Sequence, residues 1–265
     1  MQHFSEAYYR RFSGIARLYG EQALTNFMNA HVCVIGIGGV GSWAAESLAR
    51  SGIGHITLID MDDICITNTN RQIHALQENI GQLKTETMAE RIKQINPECQ
   101  VQVIDDFINA ENMTAYLSHQ PSQPYDYVLD AIDSVKDKAA IIAYCKRRKI
   151  KLITIGGAGG QKDPTQIKIA DLAKTIQDPL AAKVRERLKQ LGVNKDSKGK
   201  FGINCVFSTE QLIYPQQGGG ICLSKKNADS TKKMDCSSGF GAITNVTATF
   251  GFVAVSKILS QLAEK

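Results

Sequence analysis

The 265-residue chain contains seven cysteines but no closely spaced pair of them. No two cysteines lie closer than fourteen positions apart, which excludes a Cys-x-x-Cys zinc pair and a compact disulfide framework. The first residues also lack the basic, apolar and small-residue order of a secretory signal, and we expect none. These absences favour a reducing, cytoplasmic setting in which most cysteines are small buried side chains.

Long hydrophobic runs are almost absent as well. The segment 239–259 approaches the ~20 residues that cross a bilayer, but it contains Asn245, Lys257 and several hydroxyl and small side chains. Small residues at this density suit close packing against another helix or a second subunit. We therefore predict a buried helix, and favour it over membrane association through 239–259.

The net charge is only +5, but the basic residues are unevenly placed. From Ala181 to Lys233 there are eleven Lys or Arg and four Asp or Glu. From charge alone, a solvated helix with its loops is the simpler interpretation. The functional alternative is a surface for a polyanion such as RNA, with Lys183, Arg185 and Lys189 as candidate contacts.

A glycine-rich turn stands out against this ordinary background. Residues 32–41, VCVIGIGGVG, join a β-branched apolar run to a segment of good helix formers, which is typical of a nucleotide-binding βαβ unit. Gly36 suits the tight turn, Gly38 lets the backbone approach a phosphate, and Gly41 lets helix and strand pack closely. The turn predicts a nucleotide with phosphates and does not say which one.

Strands alternate with helices through residues 1–155, which predicts a Rossmann-like α/β fold with a mostly parallel sheet. We place strands at 32–35, 55–60, 101–104, 125–130 and 151–155, and helices at 21–29, 81–96, 111–118 and 135–149. Residues 156–265 are less regular and predict an α+β extension of the same single domain. The extension contains a strand at 166–169, a helix at 179–191, and irregular loops at 194–202 and 215–233.

Polar residues that follow the second and fourth strands distinguish between nucleotides. Asp60 lies nineteen residues after Gly41, where a βαβ unit places the acceptor of ribose hydroxyls. Asn68 and Arg71 put an amide and a guanidinium on one face of a turn, and a guanidinium suits phosphate. Lys84 is a second candidate cation.

Asp130 and Asp133 place two carboxylates at the carboxyl end of the fourth strand, where a carboxylate beside a triphosphate predicts Mg²⁺. Together with Asp60, Arg71 and Lys84, they describe ATP bound for attack on its α-phosphate. A dehydrogenase has no use for these cations and this metal. Taken singly, each has an ordinary alternative: Arg71 as a surface residue, Lys84 as a solvated helix position, and Asp133 as a residue at a helix start.

The order of these residues resembles the ubiquitin-activating-like adenylyltransferases over the first ~155 residues. The resemblance implies an ATP site formed by Gly36, Gly38, Gly39, Gly41, Asp60, Asp62, Asn68, Arg71, Gln72, Lys84 and Asp133, with Asp133 also as the metal ligand. It further implies a homodimer in which Arg11 reaches the ATP phosphates of the partner subunit. The activators of sulfur carriers have two Cys-x-x-Cys pairs, which this chain lacks.

Segments along the whole chain are similar to the family of bacterial tRNA threonylcarbamoyladenosine dehydratases. The segments are 17–20, 68–76, 156–161, 171–175 and 234–241. The resemblance implies that ATP adenylates the threonyl carboxylate of the modified tRNA, and that the ring then closes with release of AMP. It implies tRNA as the partner, with no role for DNA, and a cysteine desulfurase with its sulfur acceptor as further partners. A monovalent cation, K⁺ or Na⁺, is an additional candidate ligand.

Cys236 is the candidate nucleophile in a catalytic set with Asp133, Arg71 and Arg11. It follows two lysines and precedes an inferred helix start, and both features favour the thiolate. It would take the acyl group from AMP before cyclisation. The alternative is a buried structural cysteine at a helix start. We expect the other six cysteines to lie in strands or helices as packing residues.

Two other functions stay open at this point. The first is an activator of a small sulfur-carrier or ubiquitin-like protein, against which the absent zinc pairs and the basic 181–233 region argue. The second is a non-catalytic or NAD-dependent Rossmann domain, which tight NADH binding without ATP binding would support.

Overall fold

The computed structural model describes residues 5–118, 124–216, 218–223 and 240–265, which form eight α-helices and nine β-strands. The helices are α1 (Glu6–Tyr19), α2 (Glu21–Asn29), α3 (Gly41–Arg50), α4 (Lys84–Ile95), α5 (Met113–Leu117), α6 (Val135–Arg148), α7 (Pro179–Gln190) and α8 (Thr244–Ala263). The strands are β1 (His31–Ile35), β2 (His55–Ile59), β3 (Gln100–Ile104), β4 (Tyr127–Asp130), β5 (Leu152–Ile155), β6 (Ile167–Asp171), β7 (Asn204–Ser208), β8 (Tyr214–Pro215) and β9 (Ile221–Cys222).

Seven strands form one sheet in the order β3-β2-β1-β4-β5-β7-β6, and β8 pairs with β9 in a separate hairpin. All pairs in the large sheet are parallel except β6 with β7. Strands β1, β4 and β5 are buried at every position, because helices cover both faces of the sheet. The predicted Rossmann-like α/β fold with a mostly parallel sheet is confirmed.

One helix and one strand do not follow from the sequence pattern. Helix α1 begins at the cap Ser5, whose hydroxyl accepts from Tyr8 N, and it buries Tyr8, Phe12 and Ala16 at helical spacing. Strand β7 is a short, polar-ended segment that pairs with both β5 and β6. Residues after 155 therefore continue the same sheet.

Two predicted segments need correction. The helix predicted from residue 81 begins at Lys84, because Gly81 has a φ of 86° and Leu83 bridges to Asp63 in a short antiparallel pair. The predicted loop 215–233 begins in the β8–β9 hairpin, and residues 217 and 224–233 lie outside the described part of the chain.

Helix α8 packs into the core on the same side of the sheet as α2 and α3. A Cβ at Gly251 would lie 2.8 Å from the carbonyl oxygen of Val40, so glycine permits close contact with α3. By length and composition α8 is long and apolar enough to cross a membrane, yet 56% of its most apolar window is buried within the protein. The predicted buried helix is confirmed, at 244–263 rather than 239–259.

Candidate active site

A cavity of about 670 Å³ lies at the carboxyl edge of the sheet. Open α/β sheets bind ligands at this edge, because the loops after parallel strands meet there. Ten of the eleven predicted ATP-site residues line it: Gly36, Gly38, Gly39, Asp60, Asp62, Asn68, Arg71, Gln72, Lys84 and Asp133. The tertiary structure therefore brings together residues that span almost one hundred positions.

Gly41, the remaining member of that set, does not line the cavity and serves the fold instead. A Cβ at this position would lie 1.8 Å from the carbonyl oxygen of Gly36, so only glycine lets α3 start directly against the turn. Gly36 itself has a φ of 86°, which favours glycine. Val40 at the N-cap makes no side-chain capping bond, and the positive end of the α3 dipole faces the cavity.

Asp60 is tied to the glycine turn and to the loop that follows it. Its carboxylate accepts from Ile37 N at 2.6 Å and from Asp62 N at 2.9 Å. Lys84 Nζ lies 2.6 Å from Asp62 Oδ2 and 4.0 Å from Asp60 Oδ1. Burial raises the pKa of Asp60, and the charge of Lys84 opposes that shift. The group offers a carboxylate for ribose hydroxyls and an ammonium that can exchange Asp62 for a phosphate.

The short turn Ile66–Asn68 positions the amide and guanidinium groups of the site. Asn68 Oδ1 accepts from Cys65 N at 2.9 Å, which holds the buried Asn68 side chain in place. The Arg71 side chain lies against the glycine turn, since a Cβ at Gly39 would be 3.2 Å from Arg71 Cγ. Arg71 Nη1 donates to Thr67 O at 2.8 Å, which leaves other N–H groups of the fork for a phosphate.

Gln72 is only 6% exposed, and its Oε1 atom has no hydrogen-bond partner. Its Nε2 atom lies about 4.0 Å from a Cβ built on Gly38, so the amide borders the phosphate-binding turn. A buried, unpaired oxygen costs free energy unless a ligand or water satisfies it. This observation fits a polar ligand in the cavity.

The two carboxylates of the fourth strand have different roles, which corrects the predicted pair. Asp130 is fully buried, and its carboxylate accepts from Lys138 Nζ at 2.8 Å and Thr154 Oγ1 at 2.6 Å. It is therefore unavailable to a metal. Asp133 is exposed and lines the cavity. One carboxylate beside a polyphosphate suits Mg²⁺, which keeps several waters and takes few protein ligands.

Residues after β3 also line the cavity, and the sequence motifs did not reveal them. They are Asp106, Phe107, Ile108, Asn109, Ala110 and Glu111. Asn112 Nδ2 donates to Asp106 Oδ2 at 3.0 Å and to Phe107 O at 2.7 Å, so the loop has a defined shape. Only their place in the chain could have predicted them, because the loop after any parallel strand of the sheet lies at this edge.

The C-terminal part of the chain closes the cavity near Arg71. Ala242 and Thr247 line it, and Asn70 Nδ2 donates to Ala242 O at 2.7 Å. Thr244 Oγ1 donates to Asn70 O at 2.7 Å. The start of α8 is therefore joined to the segment that holds the predicted phosphate ligands.

Other predicted residues lie elsewhere. Arg11 is exposed on α1 and does not line this cavity of its own chain. Lys183 and Lys189 are exposed on α7, but Arg185 donates to Thr175 O at 3.3 Å and Leu172 O at 3.4 Å. We therefore assign Arg185 to stabilisation of its own chain rather than to RNA contact.

The six cysteines that the structure describes divide into three groups by exposure. Cys33, Cys99, Cys145 and Cys205 are buried, as expected for packing residues, and Cys222 is half-buried in β9. Cys65 corrects the prediction, because it is exposed in a loop and accepts from Thr67 Oγ1 at 3.1 Å. That hydrogen bond lowers the pKa of the Cys65 thiol. Cys236 lies outside the described residues.

Known proteins resemble the chain over almost its whole length. The ThiF family profile matches residues 9–265. The tRNA threonylcarbamoyladenosine dehydratase of Escherichia coli (strain K12) is 66% identical over 262 residues, which cover 98% of this chain and 96% of that protein. A crystal structure of the E. coli enzyme in complex with ATP has a TM-score of 0.85 at 60% identity, covering 98% of this chain and 96% of that chain.

The activators of carrier proteins are more distant. The molybdopterin-synthase adenylyltransferase of Haemophilus influenzae is 29% identical over 121 residues, which cover 46% of this chain and 48% of that protein. The similarity to the dehydratase therefore extends through the second half of the chain, whereas this one covers less than half of it.

Proposed function

Because this chain belongs to the ThiF family, and within it to the tRNA threonylcarbamoyladenosine dehydratases, we propose that it uses ATP to cyclise threonylcarbamoyladenosine in tRNA. The observation that carries the proposal is the 66% identity to a dehydratase over 98% of the chain. The cavity supports it independently, because ten predicted ATP-site residues line one space at the ligand-binding edge.

The residues around the cavity divide the work of adenylation. The glycine turn and the start of α3 receive the phosphates, and Asp60 accepts from the ribose hydroxyls. Arg71 and Lys84 stabilise the negative charge that grows on the phosphates as the threonyl carboxylate attacks the α-phosphate and pyrophosphate leaves. Cys236 then takes the acyl group as a thioester and AMP leaves; a carbamoyl nitrogen or oxygen attacks the thioester carbon, the Cys236 thiolate leaves, and the net change in the nucleoside is loss of water.

Mg²⁺ is a proposed cofactor, and Asp133 is the residue that would hold it. The exposed carboxylate on the cavity wall fits this ion, and the buried Asp130 does not. When bound, Mg²⁺ supplies positive charge to the phosphates. A monovalent cation, K⁺ or Na⁺, stays a further proposal. Within residues 5–118, 124–216, 218–223 and 240–265 there is no group of three or more His, Cys, Asp or Glu that could hold a metal ion.

Several partners are proposals that rest on the family. We propose a homodimer in which Arg11 contacts ATP bound to the other subunit, and a cytoplasmic location shared with tRNA. Cys236 is the proposed acyl acceptor before ring closure, and the proposed link to a cysteine desulfurase and its sulfur acceptor. Residues 1–155 would bind ATP, while 156–265 would contribute substrate contacts.

Mass spectrometry of tRNA nucleosides tests the function directly. Incubation of the protein with modified tRNA, ATP and Mg²⁺ should convert the nucleoside to a product lighter by one water. Omitting ATP should abolish conversion, and Asp133→Asn should slow it strongly. Cys236→Ser should also lose activity, and full dehydration by that variant would exclude the acyl-acceptor role.

A carrier-protein activator is the competing function. Exchange of labelled pyrophosphate into ATP distinguishes the two. Adenylation of a carboxylate is reversible, so labelled pyrophosphate enters ATP only when the carboxylate substrate of the enzyme is present. Exchange that requires modified tRNA supports the dehydratase. Exchange that requires a carrier with a Gly-Gly tail and ignores RNA would overturn it.

A further inference from the structure

Helices α6 and α7 connect the cavity to the opposite edge of the sheet. Asp133, Ser134 and Lys136 at the start of α6 and Leu180 at the start of α7 line the cavity. Helix α6 ends near the amino end of a strand, since β5 begins at Leu152 shortly after it, and the end of α7 lies beside the end of α6. With 14 residues, α6 is about 20 Å long at ~1.5 Å per residue. The helix ends therefore mark a second surface about 20 Å from the site.

Ten cations gather on that surface, which we call the basic edge. They are Lys146, Arg147, Arg148, Lys149, Lys151, Arg187, Lys189, Lys195, Lys198 and Lys200. Five of them lie within the six residues 146–151, where there is no carboxylate. The other five lie in 187–200, where Asp196 is the single carboxylate.

Contacts between the two helices make the basic edge one surface. Arg147 Nη2 donates to Leu191 O at 2.6 Å, which joins the end of α6 to the end of α7. Lys146 Nζ donates to Phe201 O at 2.5 Å, and Lys195 Nζ lies 5.6 Å from the centre of the Phe201 ring. The two basic segments are thus adjacent in space although more than 30 residues separate them in the chain.

The positive charge of the basic edge is not neutralised within the protein. Among the residues that the structure describes, none of the ten cations forms an ion pair with a carboxylate. The Asp196 carboxylate accepts instead from the backbone N–H groups of Lys198 and Lys200 at 2.9 Å. Such a cluster attracts polyanions from solution and releases their counterions on binding.

We propose that the basic edge binds the phosphate backbone of the tRNA outside its anticodon stem-loop. This inference rests on the proposed function, which places the modified nucleoside in the cavity. A nucleic-acid arm that leads away from the cavity along α6 meets the basic edge about 20 Å further on, as estimated from helix rise. The edge thereby adds sequence-independent affinity for the body of the RNA.

The composition of the surface favours RNA over an anionic membrane. Large exposed hydrophobic side chains occur at Ile176, Ile221, Leu223 and Phe252, for example, and among the described residues none of this kind belongs to the basic edge. Membrane-surface binding normally combines basic residues with apolar side chains that enter the lipid. A surface with charge and no such anchor suits phosphates that stay in water.

Charge reversal at three exposed positions tests the proposal. The variant is Arg148→Glu, Lys151→Glu and Lys198→Glu together. The matched control reverses Arg10, Lys93 and Lys168, which are exposed on other elements and change the net charge equally. Thermal unfolding and ATP binding are measured for both, so that loss of the fold is recognised. Each protein is tested on full-length modified tRNA and on a short anticodon stem-loop that carries the same nucleoside.

We expect kcat/KM on full-length tRNA to fall at least tenfold in the basic-edge variant and less than threefold in the control. Conversion of the stem-loop should change less than threefold in both. The slope of log Kd for tRNA against log salt should become shallower by about 2 to 3, since each lost phosphate contact removes ~0.7–0.9.

Several results would overturn the proposal. They are unchanged tRNA affinity and kcat/KM, an equal loss on both RNA substrates, or an equal loss in the control variant. Loss of binding to phosphatidylserine vesicles with unchanged binding to tRNA would assign the basic edge to a membrane instead. If the wild type converts neither RNA, the proposed function fails, and the tRNA binding measurement still decides whether the basic edge binds RNA.

Discussion

Two lysine–carboxylate groups lie at the same edge of the sheet and differ in what surrounds them. In the first, Lys138 Nζ lies 2.8 Å from Asp130 Oδ2, and Thr154 Oγ1 donates to the same oxygen at 2.6 Å. In the second, Lys84 Nζ is shared between Asp62 at 2.6 Å and Asp60 at 4.0 Å. The Asp130 and Lys138 side chains are at most 2% exposed, whereas Asp62 is 53% exposed.

The first group stabilises the fold, and the second is available to a ligand. Asp130, Lys138 and Thr154 satisfy one another in a closed group, so a ligand gains nothing from entering it. Lys84 and the two carboxylates border the cavity, and Asp62 can be exchanged for a phosphate at small cost because water already reaches it. Similar residue pairs that follow two strands of the same sheet thus serve the fold in one case and the substrate in the other.

The largest expected effect is on the closed group. Lys138→Met leaves the Asp130 carboxylate buried without its cation, and we expect the free energy of unfolding to fall by about 3–5 kcal/mol. Denaturant unfolding measures the change. The double variant Lys138→Met, Asp130→Leu should recover most of the loss, because no unpaired charge remains. A single variant as stable as the wild type would contradict the assignment of Lys138 to the fold.

Lys84, Asp60 and Asp62 form the open group, which should respond in the opposite way. Lys84→Met should weaken ATP binding about tenfold or more, as expected when a charge-assisted hydrogen bond worth about 1.5–3 kcal/mol is lost. The free energy of unfolding should change by less than about 1.5 kcal/mol, since Asp62 keeps access to water. Calorimetric titration with ATP and denaturant unfolding give both values, with Lys168→Met as control. Unchanged ATP affinity would place Lys84 in the fold alone.

A pH effect shows how far the charge of the open group reaches. His74 is buried with both ring nitrogens unpartnered, and burial lowers its pKa from 6.5 to about 4, with Lys84 and Arg91 acting in the same direction. Below pH 6.5 the His74 side chain becomes protonated in the unfolded chain, whereas in the native state it stays neutral until about pH 4. The free energy of unfolding should therefore fall as pH falls through this range, by about 3 kcal/mol at most.

Two variants isolate this contribution. His74→Gln should show a smaller loss of stability between pH 7 and 4 than the wild type, in parallel denaturant titrations. Lys84→Met should raise the pKa of His74, which NMR titration detects, because one repelling charge is removed. A wild-type pH profile in the His74→Gln variant would show that carboxylates alone cause the acid dependence.

The smallest effect concerns Cys65, in the loop between β2 and α4. Its thiol is exposed with a lowered pKa, whereas burial raises the pKa of Cys99 and Cys145 to about 12. Iodoacetamide should therefore modify Cys65 before the buried cysteines, as peptide mass mapping would show. Unfolding temperature should not change. Earlier modification of Cys145 would mean that α6, which also carries Lys138 of the closed group, opens more readily than its packing indicates.

Much of the fold could be predicted because local patterns agree with the tertiary structure. The apolar run of β1 and the glycine turn indicate a strand, a turn and a helix, and all three are present. The missed strand β7 has no comparable local signal, since Asn204–Ser208 becomes a strand through pairing with β5 and β6. Helix α1 was missed because its aromatic and basic residues obscured a three-residue buried stripe.

The site could be predicted in part for the same reason. Asp60, Arg71 and Lys84 carry chemistry in an order that indicates ATP, and each lines the cavity. The loop of residues 106–111 carries no motif, and it lies at the site only because β3 is parallel to β2. Arg185 has the charge of an RNA contact but is hydrogen-bonded within its own chain.

The amino-acid sequence by itself determined the class of fold, the order of the polar residues after each strand and the amount of charge in each segment. These properties follow from local composition and spacing. Only the tertiary structure decided that Asp130 faces Lys138 while Asp133 faces the cavity, and that residues 146–151 and 187–200 share one surface. The reason is physical: burial and pairing depend on which elements pack together, and three positions along a chain are enough to turn a carboxylate from the core to the solvent.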